Sequence, residues 1–305
     1  MSAIVVHNVT KRYGSFTAVD ELSFEVKRGE IFAMLGPNGA GKTTTIRMVL
    51  DILKPDTGTI DVLGGPLTDA TKERIGYLPE ERGLYRNAKV IDVLTYLGAL
   101  KGMGRQRAQQ EAQRMLEQVD LGANVKSKVS ELSKGMQQKV QLIATFLHKP
   151  DLVIVDEPFS GLDPVNTQLI KDMLFQMSRE GTTIVMSTHQ MHQIEEMADR
   201  LVMIDRGRRV LYGSVDEVRQ RFAKNAIVVE GDGDWAALAG VKSVERGENG
   251  RAVLLHLADH TTPDDVIGAM AVSTAYHVRR FELAVPSLNE IFIEVAGNGT
   301  HKNGG

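Results

Sequence analysis

The sequence predicts an α/β fold interrupted by a helical block and followed by a small α+β domain, and three observations carry that expectation. The apolar run Ile31-Phe32-Ala33-Met34-Leu35 feeds straight into a glycine loop and then a helical stretch. A second apolar run, Leu152 to Val155, stops at two acids, Asp156 and Glu157. Between and beyond these runs the hydrophobic period changes, first to helical spacing and then to short strands and helices. Continuous apolar runs this short are what strands buried on both faces of a parallel sheet require.

In chain order, Ile4 to Val9 alternates weakly and Ala18 to Val26 follows it, ending in a turn at Arg28-Gly29-Glu30. These two read as strands of an N-terminal antiparallel β subdomain. After Ile31 to Leu35 and its loop, a helix is expected from Thr44 to Leu53, stopped by Pro55. Val90 to Leu100 and Arg105 to Leu121 carry apolar or small residues at helical spacing, within a helical subdomain of about residues 88–148. Strands return at Leu152 to Val155 and Thr183 to Met186, with a helix from Thr167 to Met177 between them. Leu201 to Ile204 and Arg209 to Tyr212 read as a hairpin across Arg206-Gly207.

These elements make up residues 1–214. From Val215 to Phe222 an amphipathic helix leads into an accessory α+β domain, residues 215–296. Ala226 to Val229, Val253 to Leu257 and Val278 to Val285 are its expected strands. Pro263 to Met270 and Ser287 to Val295 are its expected helices, each begun by turn or capping residues. Residues 297–305, GNGTHKNGG, have no apolar content and are expected to be a disordered tail.

Composition narrows the function classes. At 305 residues and 42% hydrophobic, the chain can bury one large core and a second, modest one. A net charge of −3 supplies no overall basic field, so no nucleic acid is expected as a partner. With no cysteine there are no disulfides and no thiolate metal sites. No apolar run approaches the length that crosses a bilayer, and the N-terminus lacks the layout of a secretory signal. A soluble, uncleaved chain is expected, one that docks onto another polypeptide if it works at a membrane.

Gly36-Pro37-Asn38-Gly39-Ala40-Gly41-Lys42-Thr43 has the phosphate-loop spacing, with four residues between Gly36 and Gly41 and then Lys-Thr. Its glycines let backbone N–H groups converge on phosphate oxygens, and the following helix adds the positive end of its dipole. Lys42 is expected to reach the β- and γ-phosphates and the Thr43 hydroxyl to ligate Mg²⁺. The bland reading, a glycine-rich turn, arises by chance in a chain this long about one time in a hundred. Strand before and helix after make it rarer still. The fold class is therefore a P-loop NTPase core. Asp156, at the carboxyl end of its strand, is the natural Mg²⁺ ligand. Glu157, one residue on, is placed to polarise an attacking water, help worth roughly 10²–10⁴ in rate.

These motifs still leave kinases, GTPases, helicases and transport ATPases open. Leu132-Ser133-Lys134-Gly135-Met136-Gln137-Gln138 begins a helix with Ser133 as its N-cap. Here the chain resembles the ABC ATPase family, whose signature reads LSGGQ. Ser133 and Gly135 match it, while Lys134 stands in place of the first signature glycine and Met136 in place of the glutamine. Such variants are similar to those of ATPase subunits serving ABC-2-type exporters.

Further matches follow in the family's order. Ser160-Gly161-Leu162-Asp163 resembles the loop that crosses the dimer interface, and His189 resembles the switch histidine that contacts the γ-phosphate. Tyr13 resembles the aromatic residue that stacks on adenine. In Tyr77-Leu78-Pro79-Glu80-Glu81-Arg82-Gly83-Leu84-Tyr85 the family's usual glutamine is replaced by Glu80, a carboxylate still able to ligate Mg²⁺. The last domain, through Arg279-Arg280-Phe281-Glu282 and Pro286-Ser287-Leu288-Asn289-Glu290-Ile291-Phe292, resembles one carried by some exporter-type ATPases.

What the resemblance implies is an ATP-hydrolysing, Mg²⁺-dependent subunit that powers a separate integral-membrane permease, for export. It would lie in the cytoplasm, peripheral on the inner face of the cell membrane. Its ATP site comprises Tyr13, Val19, Gly36, Pro37, Asn38, Gly39, Ala40, Gly41, Lys42, Thr43 and Thr44. Lys42, Glu157 and His189 are catalytic; Thr43, Glu80 and Asp156 hold the metal. A second copy, or a homologous ATPase subunit, would clamp the nucleotide with Ser133, Gly135, Met136 and Asp163. Glu80 to Tyr85 and the inserted helices would face the permease. One alternative is a soluble ABC ATPase of the translation or DNA-repair type, which usually carries two cassettes or a long coiled coil; neither occurs here. Another is an ATP-sensing module, which has no need to keep Asp156, Glu157 and His189.

Overall fold

The computed structural model of the chain describes residues 1–80, 83–246 and 252–300. The chain divides into two compact units, Met1–Val215 and Asp216–Gly305. The first opens with two long strands, β1 (Ser2–Tyr13) and β2 (Phe16–Lys27), paired antiparallel. Then come β3 (Ile31–Leu35), α1 (Lys42–Val49), β4 (Thr57–Val62), the one-turn α2 (Asp69–Lys72) and β5 (Ile75–Leu78). A helical block follows: α3 (Val90–Leu100), α4 (Arg105–Gln118) and α5 (Lys134–Phe146). The unit closes with β6 (Leu152–Asp156), α6 (Pro164–Arg179), β7 (Thr183–Thr188), α7 (Met191–Met197), β8 (Arg200–Asp205) and β9 (Arg208–Ser214).

The main sheet has the order β5-β6-β7-β3-β8-β9, parallel except for β9. Every residue of β3, β6 and β7 is buried, which is why those segments read as unbroken apolar runs. A second, antiparallel sheet has the order β2-β1-β4. The two sheets share one core, where Ile4, Leu22 and Phe24 meet Phe32, Met34 and Ile154. Phe24 stacks on Phe32 with ring centroids 5.6 Å apart. Burying a ring of that size contributes about 1.5–3 kcal/mol.

The expected elements of this unit are present, with differences in detail. Strands β4 and β5 were not foreseen: β4 is mostly exposed and β5 has four residues, so neither leaves a hydrophobic pattern. Helix α1 ends at Val49 rather than Leu53, because Asp51 takes a left-handed φ of 58° and turns the chain. Helix α6 begins at Pro164 rather than Thr167, since Asp163 caps it and proline suits a first helical turn.

The second unit holds most of α8 (Val215–Arg221), then β10 (Ala226–Asp232), β11 (Val241–Arg246), β12 (Ala252–Leu257), α9 (Pro263–Ala271), β13 (His277–Leu283) and α10 (Leu288–Thr300). Its antiparallel sheet has the order β11-β12-β10-β13. Ile227, Val229, Leu255 and Leu257 form its core with Trp235, Val266 and Met270. Strand β11 escaped sequence reading because nearly all of it is exposed. Helix α10 runs to Thr300, into the segment expected to be a disordered tail from residue 297. A helix once nucleated adds a hydrogen bond for each residue it extends, which offsets the poor propensity of the glycines there. Residues 301–305 of that expected tail lie outside the described residues.

Candidate functional site

The site lies at the carboxyl ends of β6, β7 and β3, which are neighbours in that order. Open α/β sheets bind ligands outside the carboxyl ends of their strands. The loop after β3 is held from below. A Cβ on Gly36 would lie 2.2 Å from the Ile204 carbonyl oxygen, and one on Gly41 would lie 2.5 Å from that of Ala18. Gly41 also has a φ of 106°, a conformation L side chains rarely adopt. It is the N-cap of α1 and offers no side chain to the helix, whose first turn holds no acid. The first N–H groups of a helix have no intrahelical partner, so this end presents donors and a positive partial charge.

Lys42 folds back over the loop, its ammonium donating to the carbonyls of Gly36 (2.7 Å) and Pro37 (3.2 Å). It is 7% exposed. Burial pulls its pKa below the ordinary lysine value, and the charges of Glu157, Asp156 and Glu80 oppose that pull. Lys42 thus sits in a desolvated place with carboxylates close by, which keep its ammonium charged.

The acids are held by the neighbouring strand. Parallel register sets Asp156 beside Ser187. The Ser187 hydroxyl donates to Asp156 Oδ1, and the Thr43 hydroxyl donates to Oδ2 at 3.1 Å. Glu157 is 9% exposed and has a φ of 50°, a left-handed conformation that costs a non-glycine residue about 1–3 kcal/mol. Its backbone N–H still donates to the Ser187 carbonyl at 3.0 Å. The carboxylate accepts from the Thr188 hydroxyl at 3.1 Å and lies 2.9 Å from His189 Nδ1. Glu157 lines the same cavity as the loop after β3. Hard oxygens from Thr43 and Asp156, already in contact, match the ligand type a small divalent cation takes. Among the described residues no cluster of three or more His, Cys, Asp or Glu forms a protein-only metal cage.

These groups line one cavity of about 520 Å³, together with Tyr13, Phe16, Ala18, Asn38, Gly39, Ala40, Gly41, Thr44 and Glu80. Of the sequence-derived nucleotide residues, Gly36, Pro37 and Val19 stand off this lining. Gly36 and Pro37 act through their carbonyls on Lys42. Val19 is fully buried, in the core beneath the loop and against Gly41. Sequence reading passed over Phe16, which pairs with Tyr13 across the β1–β2 turn, both rings half exposed or more. It also passed over the roles of Ser187 and Thr188, although hydroxyls ending an apolar strand were a legible signal.

Ser133, Gly135, Met136 and Asp163 lie outside this cavity and near one another. Ser133 caps α5, accepting from Met136 N–H at 3.3 Å, and Asp163 caps α6, accepting from Asn166 N–H at 3.0 Å. A Cβ on Gly135 would come within 3.4 Å of Asn166 Nδ2. The N-terminal ends of these two helices therefore stand side by side, with Ser133 exposed and Gly135 and Met136 half-buried. Glu81 and Arg82 of the segment after β5 lie outside the described residues.

Comparison with known proteins gives a consistent picture. The family model described as ABC transporter matches residues 19–160. A second, described as the C-terminal domain of DrrA1-3-like ATP-binding proteins, matches residues 213–296. The chain is 40% identical to the uncharacterized ABC transporter ATP-binding protein YhaQ of Bacillus subtilis, over 96% of this chain and 98% of that one. It is 32% identical to the Nod factor export ATP-binding protein I of Ralstonia nicotianae, over 96% of this chain and 93% of that one. A solved ATP-binding subunit of an ABC transporter superposes with a TM-score of 0.68 at 30% identity, covering 72% of this chain and 93% of its own.

Proposed function

The chain belongs to the ABC transporter ATP-binding proteins, and from that premise we propose that two copies, or one copy and a homologue, close around ATP to drive export through a membrane permease. ATP hydrolysis and service to a membrane transporter are common to the family. The observation that carries the finer reading is the hydrogen-bonded row Thr43–Asp156–Ser187 beside Glu157–Thr188–His189, facing the uncapped end of α1.

The N–H groups of α1's first turn and Lys42 bind the β- and γ-phosphates. To accept them, Lys42 exchanges the Gly36 and Pro37 carbonyls for phosphate oxygens. Tyr13 and Phe16 offer the aromatic surface for the base. Thr43 and Asp156 would hold Mg²⁺, with Glu80 as a further oxygen donor; when bound, the ion would neutralise charge that builds on the phosphate oxygens. Glu157 orients the attacking water and accepts its proton as the new P–O bond forms and the bond to the leaving ADP oxygen breaks. Thr188 and His189 keep the Glu157 carboxylate fixed, and His189, half exposed at the cavity, turns toward the γ-phosphate. Ser133 and Gly135 of a second copy, with Asp163 beside them, complete the site from across the interface.

The permease-facing surface is the groove formed by Tyr77, Leu84, Leu97, Leu100, Ala144 and His148. Beside it Tyr85 and Tyr96, both exposed, form an edge-on aromatic pair with centroids 5.8 Å apart. Among the described residues no helix is long and apolar enough to cross a membrane, so the spanning path is assigned to a partner chain. The test is affinity purification of the chain from detergent-solubilised membranes, with mass spectrometry of what accompanies it. A stoichiometric polytopic protein is expected. Recovery with ribosomal or nucleic-acid partners instead would overturn the transporter reading in favour of a non-transport ATPase.

A further inference from the structure

Two residues depart from the family's pattern in opposite senses of charge: Glu80 where it has glutamine, and Lys134 where it has glycine. They are 54 positions apart in sequence (134 − 80), yet both line one cavity of about 500 Å³ beside the nucleotide cavity. Arg86, Leu84, Val129, Gln137 and Gln141 line it too. Glu80 lines both cavities. In the nucleotide cavity it shares the lining with Lys42. In the second cavity it shares the lining with Lys134 and Arg86. Both Glu80 and Lys134 are exposed.

A carboxylate in this place is a liability for nucleotide binding. Glu80 offers Lys42 a fixed negative charge, in competition with the phosphates. A neutral glutamide offers none. An acid here needs a counterweight to its negative charge, and a cation lining the same cavity supplies one. We propose that Lys134 is a positioning residue for Glu80: its ammonium balances the carboxylate between the two cavities and leaves Lys42 free to take phosphate. The acid and the base then form one functional unit joining the loop after β5 to the N-terminus of α5. Lys134 thereby acts inside its own subunit, on ATP affinity, apart from any contact that α5 makes to a second copy. The inference rests on the nucleotide-site reading above.

The test is ATP binding to the full chain by calorimetry with a chelator present, so that neither metal nor subunit closure contributes, joined to steady-state hydrolysis with Mg²⁺. Lys134→Gly is expected to weaken binding and raise KM by about fivefold, the upper end for an exposed charge pair, with kcat within about twofold. Lys134→Arg keeps the charge and should match the unchanged chain. Adding Glu80→Gln to Lys134→Gly removes the carboxylate that needed balancing and should restore the affinity. At roughly 1 M salt, where screening acts within about 3 Å, the difference between Lys134→Gly and the unchanged chain should vanish. Unaltered affinity in Lys134→Gly, or a loss that Glu80→Gln does not relieve, would overturn this inference alone. Failure of the unchanged chain to bind ATP would overturn the site reading and this inference together. Both positions are exposed, so the variants are expected to fold.

Discussion

Just past α5, His148 Nε2 lies 3.3 Å from the Ile75 carbonyl, and its Nδ1 is buried without a partner among the described residues. Burial first, and then the positive charge of Lys101, push the ring's pKa from 6.5 down to about 4. The folded chain therefore keeps the ring neutral in a range where the unfolded chain takes up a proton. Stability from this group is full above about pH 6.5 and is lost as the pH falls toward about 4, amounting to about 2 kcal/mol after allowance for partial exposure. The thermal midpoint should accordingly drop between about pH 7 and pH 5. His148→Gln should drop less over that interval, and an equal drop would remove His148 as the cause.

At the scale of elements, α5 is placed by its caps and by its buried amides. The Ser133 cap contributes about 1 kcal/mol to the helix. Gln138 Nε2 donates to the Pro158 carbonyl at 2.8 Å, which ties α5 to the turn after Glu157. Gln137 Nε2 donates to the carbonyls of Leu132 and Val129, closing the loop that leads into the helix. A helix anchored this way can present its N-terminal end to another molecule without being reshaped by it. Ser133→Arg puts a long charged side chain on that exposed end, so it should block closure of the ATP dimer and cut steady-state turnover at least tenfold, while ATP still binds each monomer. Normal hydrolysis in this variant would show that the α5 N-terminus is not at the interface. Lys171 on α6 makes a comparable tie, its nearly buried ammonium paired with Glu196 on α7. That pair joins the helix capped by Asp163 to the helix that follows His189.

For the whole molecule, the proposed cycle is one of association and release: binding energy closes two sites, and hydrolysis reopens them. Glu157→Gln separates these halves. The amide keeps the shape and a hydrogen bond to Thr188 but cannot accept the water's proton. Hydrolysis should fall by roughly 10²–10⁴, and ATP should hold the variant as a dimer, with a doubled mass by light scattering. Turnover near that of the unchanged chain would take the base role from Glu157. The second unit contributes none of the site residues. Its core of Ile227, Val229, Trp235 and Leu255 is its own, and its edge strand β13 is exposed along most of its length.

Much of this molecule was legible in its sequence because the signals were local. Ile31 to Leu35 and Leu152 to Val155 are apolar without a break because both faces of those strands are covered, and a buried strand has no other way to be written. The loop from Gly36 to Thr43 is legible because converging backbone donors need glycine at fixed spacing. The cap at Ser133 is legible because it acts within one helical turn, whereas the Asp163 cap, which starts α6 three residues before the expected Thr167, was not read. Strands β4, β5 and β11 were not, since short or exposed strands draw their stability from partners elsewhere in the chain. Only the tertiary structure seats Ser187 beside Asp156, sets Val19 beneath Gly41 instead of on the cavity, and turns Glu157 into a left-handed conformation. Only the fold brings Glu80 and Lys134 to one cavity, because a charge pair distant in sequence leaves no periodic trace. Residue type and spacing determine which groups are available; strand order and register decide which of them meet.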